Sequence, residues 1–251
     1  MLNQEQELNL SCKLTSQELT KLALQIKQWG VELGFQQVGI TNTDLSVAES
    51  HLQNWLAQGF HGSMDYLSDT ALAMQQGLND PTSAYISRYA LGRDYHKMMR
   101  NRLQKLADKI HAECKVDADP LRMRAFVDSA PVLEKALAEK AGLGWIGKHS
   151  NLINRKAGSW FFLGELFTDL PLPVDEQTTA HCGGCTACLS ICPTQAIVAP
   201  YQVDARRCVS YLTIELQGSI PVDLRALIGN RIYGCDAVSY THLTLPTKRI
   251  V

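Results

Sequence analysis

A run of four cysteines constrains this chain more than any other feature of its sequence. Cys182, Cys185, Cys188 and Cys192 follow the spacing C-x2-C-x2-C-x3-C, and Pro193 comes directly after them. Disulfides are disfavoured in the reducing cytosol, so clustered cysteines there indicate metal or redox chemistry. The first three thiols can lie on one tight loop, whereas the fourth lies beyond the turn and points away from them.

Iron–sulfur clusters and zinc are the two candidate occupants of such a run. Its spacing is that of bacterial ferredoxins, in which three thiolates bind different irons of one cubane and the fourth ligates a second cluster. Zinc also takes four thiolates, but its sites usually combine two separated C-x2-C pairs. Four cysteines within eleven residues do not easily wrap one tetrahedral ion. We therefore predict iron–sulfur binding.

Two further cysteines follow the run. Cys208 and Cys235 bring the candidate ligands to six, which is two fewer than a protein with two four-iron clusters needs. His242 could supply a nitrogen ligand, although a solvent-exposed tail histidine is the simpler interpretation. Cys12 and Cys114 stand alone in the sequence and are interpreted as isolated thiols outside any metal site.

Composition and charge exclude several classes of protein. The chain has 251 residues, 45% of them hydrophobic and 20% charged, enough for one large domain or a medium domain plus a small one. A net charge of -1 excludes a globally basic nucleic-acid binder and an acidic disordered tail. The N-terminal segment does not match a secretory signal, and the longest strongly apolar stretch, 160–163, is too short to span a bilayer. We expect a cytoplasmic protein with no membrane partner.

Hydrophobic periodicity predicts helices and strands that alternate over the first 170 residues. The predicted helices cover 16–34, 46–58, a stretch that begins at 94, and 132–141; the predicted strands cover 37–40, 124–127, 152–154 and 159–167. This alternation is typical of an α/β or α+β domain. The proline-containing stretch 171–175 is typical of a linker into the cysteine-rich part.

Asp128 is the candidate catalytic acid. It follows the apolar pair Phe126 and Val127 and precedes Ser129 and Pro131. One interpretation is a helix N-cap, because Asp and Ser favour that position and proline favours the first helical turn. The other is a carboxylate at the C-terminal edge of a strand, where partial burial would raise its pKa and allow it to donate a proton near neutral pH. The residues alone leave both interpretations open.

Three glycines match the dinucleotide motif G-x-G-x-x-G. They are Gly142, Gly144 and Gly147. That motif must follow a strand and open a helix, whereas these glycines follow the predicted helix 132–141. We therefore interpret them as a helix C-cap and a close backbone passage, and not as a nicotinamide site.

A basic stretch covers residues 88–124, with ten Lys or Arg against five Asp or Glu. In a near-neutral protein such a stretch is typical of a local phosphate-binding surface, and a solvated helix face is the alternative. Tyr89, Tyr95 and His96 add aromatic and titratable groups beside it. These neighbours favour a ligand site.

Several motifs in register resemble one enzyme family, the epoxyqueuosine reductases. The matching stretches are 87–96, 126–133, 141–145, 158–165, the cysteine run and 229–235. Members of this family reduce the epoxide of epoxyqueuosine at the wobble position of a tRNA anticodon to queuosine, the last step of queuosine biosynthesis. The resemblance implies cobalamin and two 4Fe-4S clusters as cofactors. The implied partners are the epoxyqueuosine-bearing tRNA and an unidentified electron donor.

The same resemblance implies a domain order. Family members have an α/β cobalamin-binding domain, a ferredoxin-like iron–sulfur domain and C-terminal helical repeats that help to hold tRNA. For this chain we expect the cobalamin-binding domain over 1–172, an incomplete ferredoxin-like domain over 173–237 and an artefactual tail over 238–251.

The resemblance also implies residue roles. The family's proton donor matches Asp128. The implied cluster ligands are Cys182, Cys185 and Cys188 for one cluster, and Cys192, Cys208 and Cys235 for the other. The implied cobalamin contacts are Ser87, Asp128, Leu152, Leu163 and Ser210.

Two departures separate this chain from the family pattern. Between Tyr66 and Ser83 it lacks a segment long enough for a strand that brings a cobalamin contact. The family also has cysteines where this chain has Val238 and His242, and the helical repeats are absent. We therefore expect each cluster to be one thiolate short and the chain to be a truncated piece of the enzyme. The alternatives are an inactive fragment, an iron–sulfur electron-transfer module without catalysis, and a reductive dehalogenase, an enzyme that is usually exported.

Overall fold

The computed structural model describes residues 14–60, 62, 84–92, 94–114, 121–128 and 132–239. Within these ranges the helices are α1 (Ser16–Glu32), α2 (Ser46–Ala57), α3 (Tyr95–Cys114), α4 (Glu134–Lys140), α5 (Ala187–Ile191), α6 (Val209–Ile214) and α7 (Val222–Ile228). The strands are β1 (Tyr85–Ile86), β2 (Met123–Phe126), β3 (Trp145–Ile146), β4 (Leu152–Ile153), β5 (Glu165–Thr168), β6 (Ile197–Ala199), β7 (Gln202–Val203) and β8 (Arg231–Tyr233). The sequence features at Cys12, 66–83, Pro131 and His242 lie outside the described residues.

The strands pair two by two. β2 and β5 are antiparallel, with a register that runs from Met123 opposite Thr168 to Phe126 opposite Glu165. β3 pairs antiparallel with β4, β6 pairs antiparallel with β7, and β1 pairs parallel with β8. The mixture of helices and strands predicted from the periodicity is confirmed.

The described residues form two compact units, and each is built from separate stretches of chain. Unit 1 comprises the described parts of Met1–Thr43, Asp94–Leu143 and Leu163–Gln177. Unit 2 comprises those of Asp44–Arg93, Gly144–Phe162 and Thr178–Val251. Over the described ranges, no helix combines the length and the apolar character needed to cross a membrane.

The first helix of unit 1 begins at a capping box. The Thr15 hydroxyl accepts a hydrogen bond from the Glu18 backbone N–H at 3.3 Å, and the Glu18 carboxylate accepts one from the Thr15 N–H at 2.7 Å. The two side chains thus satisfy two backbone N–H donors that the helix itself leaves unpaired. The predicted start of this helix is confirmed.

The core of unit 1 forms between the apolar faces of α1 and α3. Positions that repeat every three or four residues along each helix point to the same side, as predicted for α3. The buried members of this core are Leu22, Ile26, Leu106, Ile110, Cys114, Leu121 and Leu170. Cys114 therefore ends a helix inside an apolar core and is not in a disulfide.

The predicted strand at 37–40 is wrong. These residues form no ladder, and at Ile40 both backbone groups bond to Asp175 and not to a strand partner. The Asp175 carboxylate accepts from the Ile40 N–H at 2.8 Å, and the Asp175 N–H donates to the Ile40 carbonyl at 2.8 Å. Asp175 also forms an ion pair with Lys27. The predicted linker at 171–175 is thus attached at its end to unit 1.

The predicted strand at 159–167 is only partly correct, because β5 begins at Glu165. Its partner β2 ends at Phe126, and the chain turns at Asp128, so residues before Glu165 have no strand to pair with. An isolated bridge between Asn154 and Gly158 precedes this stretch instead.

Two hydrophobic clusters lie among the described residues of unit 2. One lies around α6 and α7 and includes Val209, Tyr211, Leu212, Leu224 and Ile228. The other contains Cys188, Cys192, Ala196 and Ile197, with Cys208 and Val238 packed against it. The second cluster places thiols from separate parts of the chain in one apolar environment.

The glycines at 142 and 144 have the roles predicted for them. Gly142 follows α4 with φ of +69°, a left-handed conformation that glycine adopts without steric cost. A Cβ atom on Gly144 would lie 2.3 Å from the Ile153 carbonyl oxygen. Gly144, directly before β3, therefore lies where the backbone passes close to the end of β4.

Replacing Gly144 with alanine should lower the free energy of unfolding by about 2–4 kcal/mol, because the added methyl group meets backbone atoms that cannot rotate away. Urea unfolding monitored by circular dichroism measures this loss. Gly92→Ala is the matched control, because a Cβ there meets nothing within 4 Å. The same loss in both variants would contradict a packing role for Gly144.

Candidate functional site

Asp128 lies immediately beyond β2 in a buried and strained position. Its side chain is almost inaccessible, with the residue 4% exposed. Its φ of +53° places the backbone in the left-handed region, which costs about 1 kcal/mol or more for a residue other than glycine. Such strain is maintained only where the surrounding structure imposes it, and it clusters at functional sites.

The N-cap interpretation of Asp128 is wrong. The helix that follows, α4, begins at Glu134, and its cap residue is Leu133, which makes no side-chain capping bond. Asp128 is therefore too far from the first turn of α4 to cap it. The interpretation that remains is a carboxylate at the end of a strand.

Two side chains of α3 hold the Asp128 carboxylate. The Tyr95 hydroxyl donates a hydrogen bond to Oδ2 of Asp128, and Nε2 of His96 lies 3.4 Å from the same oxygen. The other ring nitrogen of His96 lies 2.8 Å from Oδ1 of Asp94, which is exposed. Half-buried His96 thus lies between an exposed carboxylate and a buried one.

Two glutamates extend the acid cluster. The Asp128 backbone N–H donates to Oε1 of Glu134 at 3.0 Å, and the carboxyl groups of Glu134 and Glu165 are hydrogen-bonded to each other. Burial and the nearby negative charge of Asp128 raise the pKa of Glu134 to about 7. Burial and the charge of Glu134 raise the pKa of Glu165 to about 9. Glu165 therefore carries a proton at neutral pH.

These raised pKa values predict that the protein becomes less stable as the pH rises. Above pH ~4.5 the glutamates lose their protons in the unfolded chain but keep them in the folded protein, Glu134 up to about pH 7 and Glu165 up to about pH 9. The folded state then binds more protons, so the free energy of unfolding falls with pH across this window. We expect a fall of at least about 1 kcal/mol between pH 5 and pH 9, measured by urea unfolding. Glu165→Gln should flatten this dependence, whereas exposed Glu176→Gln should leave it unchanged.

Sequence reasoning singled out Asp128 but missed both glutamates. Glu134 lies six residues beyond Asp128, and Glu165 ends the apolar stretch 158–165. An acidic residue at the first position of a strand, directly after an apolar run, was the available signal for Glu165. Nothing local indicated that these two side chains meet.

The first three cysteines of the run lie together. A turn closes between Cys182 and Cys185, where the Cys185 N–H donates to the Cys182 carbonyl at 2.9 Å and Gly183 has φ of +44°. Cys188 is buried on α5, and burial, followed by the charges of Cys182 and Cys185, raises its pKa. The three thiols are thus close enough to interact electrostatically.

The remaining three candidate cysteines form a second group. Cys208 precedes α6. Its pKa is raised overall, because burial and the charge of Cys192 outweigh the hydrogen bonds from the N–H groups of Tyr211 and Ser210, which act in the opposite direction. Cys235 follows β8, and burial raises its pKa to about 11, with the charges of Cys208 and Cys192 acting in the same direction. The Cys192 sulfur accepts the Ala196 N–H at 3.2 Å.

The two cysteine groups match the donor chemistry of iron–sulfur clusters. Backbone N–H groups point at sulfur atoms in both groups, and such bonds are one of the levers on cluster potential. Three thiolates can bind three of the four irons of a cubane. Val238, where the family pattern has a cysteine, packs against the hydrophobic cluster of Cys188 and Cys192. Within the described part of the chain, no three His, Cys, Asp or Glu side chains converge on one point closely enough for a single metal ion.

The residues expected to contact cobalamin are divided between the units. Asp128 and Leu163 belong to unit 1, whereas Ser87, Leu152 and Ser210 belong to unit 2. The Ser87 hydroxyl donates to Asp236 at 2.6 Å, and Tyr85 donates to the same carboxylate at 2.5 Å. Leu152 is buried in β4, and Ser210 hydrogen-bonds to Cys208.

The basic stretch serves in part to stabilise unit 1. Arg102 donates to the Gly34 carbonyl at 3.0 Å, and Lys109 pairs with Glu32 at 3.0 Å. Exposed basic side chains on α3 are Lys97, Arg100 and Lys105. Among the described residues of the stretch, these three are available to a phosphate together with exposed Arg122 and Arg124.

Two family models match the chain. A model described as a 4Fe-4S double cluster binding domain matches residues 181–238. A model described as Epoxyqueuosine reductase QueG, DUF1730 matches residues 61–129. The first covers all six candidate ligands and the second includes Ser87 and Asp128.

Curated relatives and solved structures agree with these matches. The chain is 54% identical over 257 residues to an epoxyqueuosine reductase of Pseudomonas aeruginosa, covering 90% of this chain and 70% of the relative. It is 55% identical over 246 residues to that of Escherichia coli, covering 87% of this chain and 64% of the relative. A crystal structure of epoxyqueuosine reductase with a tRNA-Tyr epoxyqueuosine-modified stem loop aligns with a TM-score of 0.79 and 26% identity, covering 91% of this chain and 66% of that one. The structure from Streptococcus thermophilus aligns with a TM-score of 0.75. The chain thus spans roughly two thirds of the length of the proteins it matches.

Proposed function

Because this chain belongs to the epoxyqueuosine reductase family, we propose that it reduces the epoxide of epoxyqueuosine in tRNA to queuosine. The observation that carries this proposal is the buried acid cluster around Asp128. Opening an epoxide places negative charge on its oxygen, and a positioned proton donor neutralises that charge as it develops. The reaction would take place in the cytoplasm, on tRNA.

Asp128 is the proton donor in this proposal. Its strained backbone, the bond that its N–H donates to Glu134 and the bond that its carboxylate accepts from Tyr95 hold the residue in one orientation. Glu165 keeps a proton at neutral pH and is linked to Asp128 through Glu134.

The chain carries a 4Fe-4S double cluster binding domain over residues 181–238. We propose that the two groups of thiols described above each bind one cluster, which divides the ligands as the family resemblance implies. In this assignment both clusters have three cysteine ligands. When bound, such clusters would supply one-electron carriers held by these six cysteines.

Cobalamin is the proposed second cofactor. Two buried polar atoms of unit 2, Nε1 of Trp145 and Oγ of Ser159, have no hydrogen-bond partner among the described residues, as expected where a ligand completes the site. We propose that Ser87, Leu152, Leu163 and Ser210 help to hold it. When bound, cobalamin supplies a cobalt centre that delivers electrons to carbon. Asp128 contributes the proton.

The tRNA partner is proposed from the solved relative that contains a tRNA-Tyr stem loop. Exposed Lys97, Arg100 and Lys105 on α3 provide positive charge of the kind that contacts phosphates. The domain order predicted from the resemblance, a cobalamin-binding domain over 1–172 before a ferredoxin-like domain over 173–237, is part of the same proposal.

The experiment that tests this function supplies the chain with iron, sulfide and cobalamin, and then adds an epoxyqueuosine-bearing tRNA stem loop and a chemical reductant. We expect the modified nucleoside to lose the mass of one oxygen atom in mass spectrometry. A chain that binds its cofactors but leaves the nucleoside unchanged would instead be an electron-transfer module.

A further inference from the structure

Lys148 connects the β3–β4 turn to the loop that carries the first two cysteines. Its Nζ donates to the carbonyl oxygens of Gly183 at 2.6 Å and Cys185 at 2.8 Å. Gly183 lies between Cys182 and Cys185, so the ammonium group binds the peptide backbone of the ligand loop itself.

The turn that presents Lys148 is well ordered by its own hydrogen bonds. The Gly147 N–H donates to the Asn151 carbonyl at 2.9 Å, and the Ser150 N–H donates to the Gly147 carbonyl at 2.8 Å. The Lys148 carbonyl accepts the Tyr201 N–H at 2.8 Å, which ties the same residue to the segment between β6 and β7. Lys148 is therefore held at both its backbone and its side chain.

The cysteine loop offers few side chains to hold it in place. A Cβ on Gly183 or Gly184 would meet nothing within 4 Å, and Cys185 is exposed. The edge-on contact of Trp145 with His181, at 5.0 Å between ring centres, supports the loop just before Cys182. The ammonium group of Lys148 supplies a second anchor, and this one carries a charge.

The charge matters because reduction adds an electron to the cluster. Both partners of the ammonium group are neutral carbonyl oxygens, so neither cancels its positive charge. A positive charge beside a cluster stabilises the more negative, reduced state, and local charge and hydrogen bonding are among the factors that set cluster potentials.

We propose that the positive charge of Lys148 raises the reduction potential of the cluster bound by Cys182, Cys185 and Cys188. The redox step is the addition of one electron to the oxidised cluster, supplied in the experiment by dithionite. The inference rests on the iron–sulfur domain and not on the tRNA reaction, so it stands or fails independently of the proposed enzymatic activity.

The test is an EPR-monitored redox titration of the whole chain with its clusters assembled, comparing wild type with Lys148→Gln and Lys148→Arg. Glutamine can still donate to one loop carbonyl but carries no charge. We expect Lys148→Gln to lower the equilibrium constant for one-electron reduction of one cluster about tenfold, which is a shift of ~59 mV to lower potential. The potential of the other cluster should stay unchanged. Lys148→Arg should stay within threefold of wild type.

Lys156→Gln is the matched control, because Lys156 is an exposed lysine of the same unit. Its potentials should equal those of wild type. The proposal is overturned if Lys148→Gln keeps the wild-type potential, or if it moves both clusters equally. It is also overturned if Lys148→Arg shifts the potential as far as Lys148→Gln, since the effect would then come from loop geometry and not from charge.

Discussion

Asp128→Asn should lower the rate of epoxide reduction about a thousandfold, the middle of the range that a positioned proton donor contributes. Asparagine has nearly the same size and can still accept the Tyr95 hydrogen bond, but it has no acidic proton to give. Because the side chain is buried and held by several bonds, no other group takes its position without rearrangement. The measurement is the single-turnover rate on an epoxyqueuosine-bearing stem loop.

The control for this variant is Asp108→Asn on α3. Asp108 is exposed and accepts a hydrogen bond only within its own helix turn, from Gln104 at 2.9 Å. Its replacement should leave the rate, the iron content and the cobalamin content unchanged. Turnover at the wild-type rate in Asp128→Asn would remove Asp128 from the reaction, whereas lost cofactors would point to a structural role.

Cys188→Ser and Cys235→Ser should each remove about half of the bound iron, and each should abolish a different EPR signal. The reason is the arrangement of the thiols. Cys188 interacts with Cys182 and Cys185, whereas Cys235 interacts with Cys192 and Cys208. A four-iron cluster held by three protein thiolates is not expected to survive the loss of one, because two remaining ligands leave half of its irons without a protein bond.

Iron analysis and EPR of the reduced variants separate these outcomes. Cys114→Ser is the matched control: its thiol is buried in the α1–α3 core, so its loss should change neither iron nor signal. If both cluster variants lose the same signal and retain the other, the six cysteines do not divide into the two groups proposed. If either loses all iron, the clusters assemble only together.

Local sequence patterns predicted the elements that depend on neighbouring residues. The capping box at Thr15 and the apolar repeat of α3 were recognisable because their partners lie three or four residues away. The predicted strand at 37–40 is absent, and at its last residue, Ile40, distant Asp175 takes both backbone hydrogen bonds that a strand partner would have formed. No periodicity within 37–40 carries that information.

The same division applies to the two sites. The sequence alone determined the candidate acid, the cysteine spacing and the family, since these depend on residue identity and short-range order. Only the tertiary structure decided which groups surround Asp128, because Tyr95, Glu134 and Glu165 come from three separate elements. The grouping of Cys235 with Cys192 and Cys208 was implied by the family resemblance, whereas only the tertiary structure decided that Lys148 reaches the cysteine loop. Contacts of this kind form when remote elements pack together, and spacing along the chain does not encode them.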